Sequence, residues 1–129
     1  ENKQVFTLPH NPYRRVDILP SCRQVRINVD GMTIAETDKP TLLFETGLRT
    51  RYYVPMTHVR MDLLIPSESV SHCPYKGAAA YWSLRIGDDI RPDVGWSYPT
   101  PLPESQKIAG LISFYPEKVD VYVDGELER

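Results

Sequence analysis

Twelve prolines, about twice the ordinary usage of roughly 5%, are spread so evenly through 129 residues that few helices longer than three turns fit between them. Long helical bundles are excluded on that ground alone. Short runs with the two-residue period of a strand fill the intervals instead. Val25, Ile27 and Val29 alternate with Arg26 and Asn28. Asp30-Gly31 then supplies the two left-handed positions of a tight turn, and Met32 and Ile34 restart the pattern, which predicts a β-hairpin. Ala79 to Ile86 and Ile90 to Tyr98 flank Gly87-Asp88-Asp89 as a second hairpin, with Trp82, Leu84 and Ile86 on one face. Val119, Val121 and Val123 lead to Asp124-Gly125 and read as a last strand. Thr41 to Glu45 and Arg51 to Val54 form another pair of β-favouring runs around Gly47, and Met61 to Ile65 is an apolar run closed by Pro66.

Two places suit a short helix: Pro55 to Arg60, with Thr57 as its cap, and Glu104 to Ala109, with Pro103 near its first turn. About eight short strands at spacings near ten residues predict a mostly β protein. The expected architecture is two antiparallel sheets packed as an open sandwich or barrel, with one or two short helices. Residues 1–21, with Pro9, Pro12 and Pro20 among polar neighbours, read as an extended arm or linker, and 22–129 as a single β domain. A chain beginning at Glu1 rather than Met reads as trimmed or excised from something longer.

Fifteen basic against seventeen acidic residues leave a net charge of −2, so no global field draws the chain onto phosphate backbones or anionic lipid. Neither nucleic acid nor membrane is an expected partner, and no apolar stretch approaches the roughly 20 residues that cross a bilayer. Cys22 and Cys73 are too few for a disulfide framework, and the cytoplasm is the expected compartment. There is no GxGxxG, P-loop, HExxH, GxSxG or CxxC pattern. His10, His58 and His72 sit at unrelated spacings that suit no tetrahedral zinc site. Asp88-Asp89 reads as a solvated turn rather than a metal-holding pair. No metal and no cofactor is expected.

Three clusters are equipped for chemistry. Ser71 to Gly77 places the imidazole of His72, the thiol of Cys73, the phenol of Tyr75 and the amine of Lys76 within a few residues, covering most of the acid, base and nucleophile repertoire. If the segment is extended, as Pro74 encourages, His72 and Lys76 face one side and Cys73 and Tyr75 the other. In the second cluster, Glu45 ends an apolar run. It either pairs with Arg51 or Lys76, or stays desolvated as a proton acceptor. Arg51 is suited to clamp a carboxylate or phosphate, with Tyr53 on its face of the strand and Tyr52 opposite. The third cluster carries Trp96 and Tyr98 on one strand face, where flat aromatics either line a pocket or fill a core.

Taken in order along the chain, these motifs closely resemble the domain of unknown function 427 family. They are Phe44-Glu45-Thr46-Gly47-Leu48 with Arg51-Tyr52-Tyr53, Val59 to Leu64, His72-Cys73-Pro74-Tyr75-Lys76-Gly77 with Tyr81-Trp82-Ser83, Trp96-Ser97-Tyr98-Pro99, and Ile108-Ala109-Gly110 with Phe114-Tyr115. The resemblance covers about Arg23 to Gly125. It implies a small β-tent-like protein of the kind found in bacteria and fungi, sometimes built as a tandem pair, to which the segment Asn11 to Leu19 resembles a lead-in. Relatives in that fold include zinc-binding domains and methionine sulfoxide reductases, whose CxxC pairs this sequence lacks. A nucleotidyltransferase label sometimes attached to the family finds no carboxylate pair or phosphate loop here.

The expected function is a small-molecule-binding β domain acting as a cofactor-independent enzyme. Its acid/base chemistry would be of isomerase, cyclase or lyase type on a small organic ligand. Glu45, His72 and Lys76 are the expected catalytic residues, and Arg51, Tyr52, Tyr53, Cys73, Trp96 and Tyr98 the expected binding residues. A Schiff base on Lys76 is a variant of that chemistry, and thiol redox through Cys73 a third line. The alternative is a non-catalytic ligand-sensing or protein-interaction module. A homodimer is the assembly the expectation admits.

Overall fold

Residues 15–73 and 76–128 are described by the computed structural model, without the side chains of Cys73 and Glu104. Most of the expected arm, 1–14, and the Pro74-Tyr75 step therefore lie outside the described residues. The described chain forms strands β1 (Val16–Pro20), β2 (Val25–Val29), β3 (Met32–Thr37), β4 (Thr41–Glu45), β5 (Arg51–Tyr53) and β6 (Leu64–Cys73). After these come β7 (Gly77–Ile86), β8 (Asp89–Ser97), β9 (Ile112–Phe114), β10 (Asp120–Val123) and β11 (Glu126–Leu127). Every strand pair is antiparallel, and the strands make three sheets ordered β1-β4-β5, β11-β10-β2-β3 and β6-β7-β8-β9.

The hairpins close where the sequence places turns. Asp30 and Gly31 both have positive φ, 52° and 81°, and join Val29 to its partner Met32; Asp124 and Gly125 repeat the arrangement between β10 and β11. A bulge at β3 lets the consecutive residues Ile34 and Ala35 both reach the interior. In β8 the pairing with β7 shifts between Trp82 and Leu84, where Pro92 lacks an N–H and Asp93 takes φ 50°. A proline is tolerated in this central strand because the ladder is already interrupted there.

The mostly β, antiparallel character agrees with the expectation, with three sheets where two were expected. Among the described residues the helical content is only 3₁₀: Met56–His58, Met61–Leu63 and Pro103–Ile108. Thr57 is not a cap, since that position is Pro55 and no side chain bonds there. Non-helical Ser105 breaks the third segment, and Met61–Leu63 turns before the strand begins at Leu64. Val16–Pro20, assigned above to the arm, instead pairs along the whole of β4 and buries Ile18. Among the described residues no helix is long and apolar enough to cross a membrane.

The sheet β6-β7-β8-β9 is apolar on both faces. One face, with Leu84, Ile112 and Phe114, packs with Val25, Ile27, Ile34 and Val121 of the β2 sheet; the half-buried Trp82 and Ile86 join it. The other face, with Ala79, Trp96 and Tyr98, packs with Ile18, Leu43 and Tyr53 of the β1-β4-β5 sheet and with Ile108. Each fully buried aliphatic side chain contributes about 1.5–3 kcal/mol relative to exposure. Val54 and Ile112 exchange backbone hydrogen bonds of 2.7 and 3.0 Å, which joins β5 to β9 and folds the β1-β4-β5 sheet over the second face.

Candidate functional site

Strand periodicity places Leu43 and Glu45 on one face of β4. The antiparallel register puts Arg51 opposite Leu43 and Tyr53 opposite Thr41, so Leu43, Glu45, Arg51 and Tyr53 share that face. The same parity carries across the Val54–Ile112 bridge to Ser113, which pairs with Trp96, and from Trp96 to its partner Tyr81. Because the sheet bends at this bridge, these side chains look inward at one another. They line an open cavity of about 160 Å³ with Tyr98, Tyr115 and Lys76, and with Leu48 and Arg49 of the β4–β5 loop.

Lys76 enters from the β6–β7 connection. Its carbonyl accepts a hydrogen bond from the Leu102 N–H at 3.1 Å, and Gly77 follows at φ +103°, a conformation costly for any residue with a Cβ. So anchored, Lys76 Nζ donates to Glu45 Oε1 at 2.7 Å, with side chains only 11% and 4% exposed. Of the two cationic partners expected for Glu45, the fold supplies Lys76.

Arg51 is held by rings. Its guanidinium carbon lies 5.1 Å from the Trp96 ring centroid and 6.0 Å from that of Tyr115. Its Nη1 is buried with no hydrogen-bond partner among the described residues. Leaving such a donor unmatched costs roughly 1–3 kcal/mol, and more when the group is charged. Trp96 Nε1 donates to the Tyr53 hydroxyl at 3.1 Å, and their rings meet edge to face at 89°. Tyr115 packs 4.5 Å from Trp96 and stacks on Tyr81. Burial, then the hydrogen bond with Tyr81, pushes the Tyr115 phenol above its ordinary pKa, so it remains a neutral donor well past neutral pH.

The cavity therefore gathers Glu45, Lys76, Arg51, Tyr53, Trp96 and Tyr98 from the expected set. Tyr52 points to the opposite face of β5, where its hydroxyl donates to Glu128 at 3.0 Å. His72 is exposed on β6 opposite Ala78 and takes no part in the lining. Its expected alignment with Lys76 assumed one continuous extended segment, whereas the chain reverses between β6 and β7. The side chain of Cys73 lies outside the described residues; Cys22 is exposed and unbridged. The residues missed from sequence are Tyr81, Tyr115, Leu43, Leu48 and Arg49. Tyr81 was recoverable, because alternation turns it away from the face of Trp82, Leu84 and Ile86. Tyr115, beyond the end of β9, carries no such signal.

A family model described as a domain of unknown function (DUF427) matches residues 17–125. No curated protein matches the chain.

Proposed function

The chain belongs to the domain of unknown function 427 family, a membership that names no reaction, and from its cavity we propose that it binds a small organic molecule and moves protons on it. The reading is a cofactor-independent isomerase, cyclase or lyase. One observation carries it: the Glu45–Lys76 pair is largely buried yet lines a hollow walled by Tyr53, Trp96, Tyr98 and Tyr115. In that arrangement the Glu45 carboxylate accepts a proton from the ligand while the Lys76 ammonium delivers one to the atom that gains electron density. Transfer from Glu45 to Lys76 across their 2.7 Å contact then restores both groups. Because Lys76 serves as a donor to Glu45, proton transfer is favoured over Schiff-base formation, which needs a free amine lone pair.

The second reading is a binding module without chemistry. It is favoured by the Trp96 N–H being already committed to the Tyr53 hydroxyl, which removes one polar group of that wall from chemistry on a ligand.

Incubation in deuterium oxide with a panel of small carbonyl compounds, followed by proton NMR, tests the choice. Protein-dependent exchange at a carbon next to the carbonyl, abolished in Glu45→Gln, is expected. Saturable binding with no exchange across the panel would support the module instead.

A further inference from the structure

Among the described residues three cations, Arg49, Arg51 and Lys76, line the cavity against the single carboxylate of Glu45, although the chain as a whole has a net charge of −2. Lys76 is committed to Glu45 at 2.7 Å, and Arg49 is exposed at the mouth. Arg51 alone combines cavity lining, a buried guanidinium nitrogen and no hydrogen-bond partner for that nitrogen among the described residues. Its guanidinium carbon lies 5.1 and 6.0 Å from the ring centroids of Trp96 and Tyr115, so the charge is held against the aromatic wall of the cavity it lines.

From these features we infer that the site takes a small planar carboxylic acid, bound as its carboxylate by the Arg51 guanidinium. The inference rests on the small-molecule reading above and names the ligand class. A planar acceptor fits a planar donor edge, and the bond between them is charge-assisted on both sides. A tetrahedral dianion fits less well: it needs a second buried cation, and the one within the cavity is already paired to a carboxylate that would repel the extra charge. Size narrows the class further. About 160 Å³ lies below the roughly 300 Å³ at which ordinary ligand pockets begin, so the part of the acid held inside is about the size of a single ring or a short unsaturated chain. With its carboxylate on Arg51, such an acid lays its flat body along the rings and its carbon skeleton toward Glu45 and Lys76.

The test uses two acids with their neutral isosteres, benzoate with benzamide and crotonate with crotonamide, together with inorganic phosphate. Binding is followed by the indole N–H resonances in proton–nitrogen NMR spectra, on the wild type and on Arg51→Gln and Arg51→Lys, each checked for a folded spectrum. At least one acid is expected to shift the Trp96 resonance saturably, with its amide at least tenfold weaker. Arg51→Gln should weaken that acid by at least tenfold, and Arg51→Lys by less. An amide that binds as tightly as its acid, or an acid unaffected by Arg51→Gln, overturns the carboxylate class while leaving the small-molecule reading intact. Phosphate competing as strongly as either acid overturns the class in favour of a tetrahedral anion. If no acid, amide or phosphate shifts Trp96, both the class and the reading beneath it fail.

Discussion

Lys76 Nζ donates to Glu45 Oε1 at 2.7 Å across a sequence separation of 31 residues, and the contact ties the β6–β7 connection to the end of β4. Two charges withdrawn from water in this way depend on each other. Removing one leaves the other charge buried without this counter-charge, whereas replacing both by apolar groups of similar volume is close to neutral. Lys76→Met alone and Glu45→Leu alone are expected to lower the free energy of unfolding by about 3–5 kcal/mol each. The double substitution should cost much less than the two together. Urea denaturation of the four proteins measures the coupling, and additive losses would show that the pair is not energetically linked.

The indole of Trp96 reaches the Tyr53 hydroxyl at 3.1 Å between two side chains that are almost fully buried. Tyr53→Phe keeps the ring packing and strands the indole N–H. The expected loss is about 1–3 kcal/mol, read from the denaturation midpoint. An unchanged midpoint would mean that the indole finds another acceptor.

Two phenols are displaced upward in pKa. Tyr115 is raised by burial and then by the hydrogen bond with Tyr81; Tyr52 is raised by burial and then by its bond to Glu128. A phenol that holds its proton more tightly in the folded state adds stability that is whole below the unfolded value near 10 and is lost as pH rises from there toward the folded value. Stability should therefore decline above pH 10, and a titration of tyrosinate absorbance should show late-ionising phenols. Tyr115→Phe should remove one of them and flatten part of the alkaline decline. A curve identical to the wild type would contradict the assignment.

Gly95 of β8 pairs with Phe114 of β9 and leaves no room for a side chain. A Cβ there would stand 2.7 Å from the Ser113 carbonyl oxygen and 3.1 Å from the Phe114 ring. Backbone cannot yield as a flexible side chain can, so Gly95→Ala is expected to cost about 1–3 kcal/mol through overpacking. Since Gly95 precedes Trp96, the same substitution should shift the Trp96 fluorescence maximum. Wild-type stability in this variant would show that β9 moves freely relative to β8.

The sequence by itself determined the class of fold. Prolines at short intervals barred long helices, Asp-Gly pairs set hairpins at Asp30-Gly31 and Asp124-Gly125, and alternation assigned faces to β2, β7 and β8. These signals act over a few residues, so neighbouring residues suffice to read them. The same alternation placed Arg51 with Tyr53 and Trp96 with Tyr98. It failed at His72 and Lys76, where the chain reverses between two strands, and it left Val16–Pro20 in an arm because five residues with a proline gave no hint of β4 as their partner. What only the tertiary structure decided is which faces meet. The choice of Lys76 over Arg51 as the partner of Glu45 and the placing of Tyr81 and Tyr115 in the cavity both follow from the bend at Val54–Ile112. That bend joins segments far apart in the chain, and its position depends on how two apolar faces pack rather than on any local preference of the residues that make it.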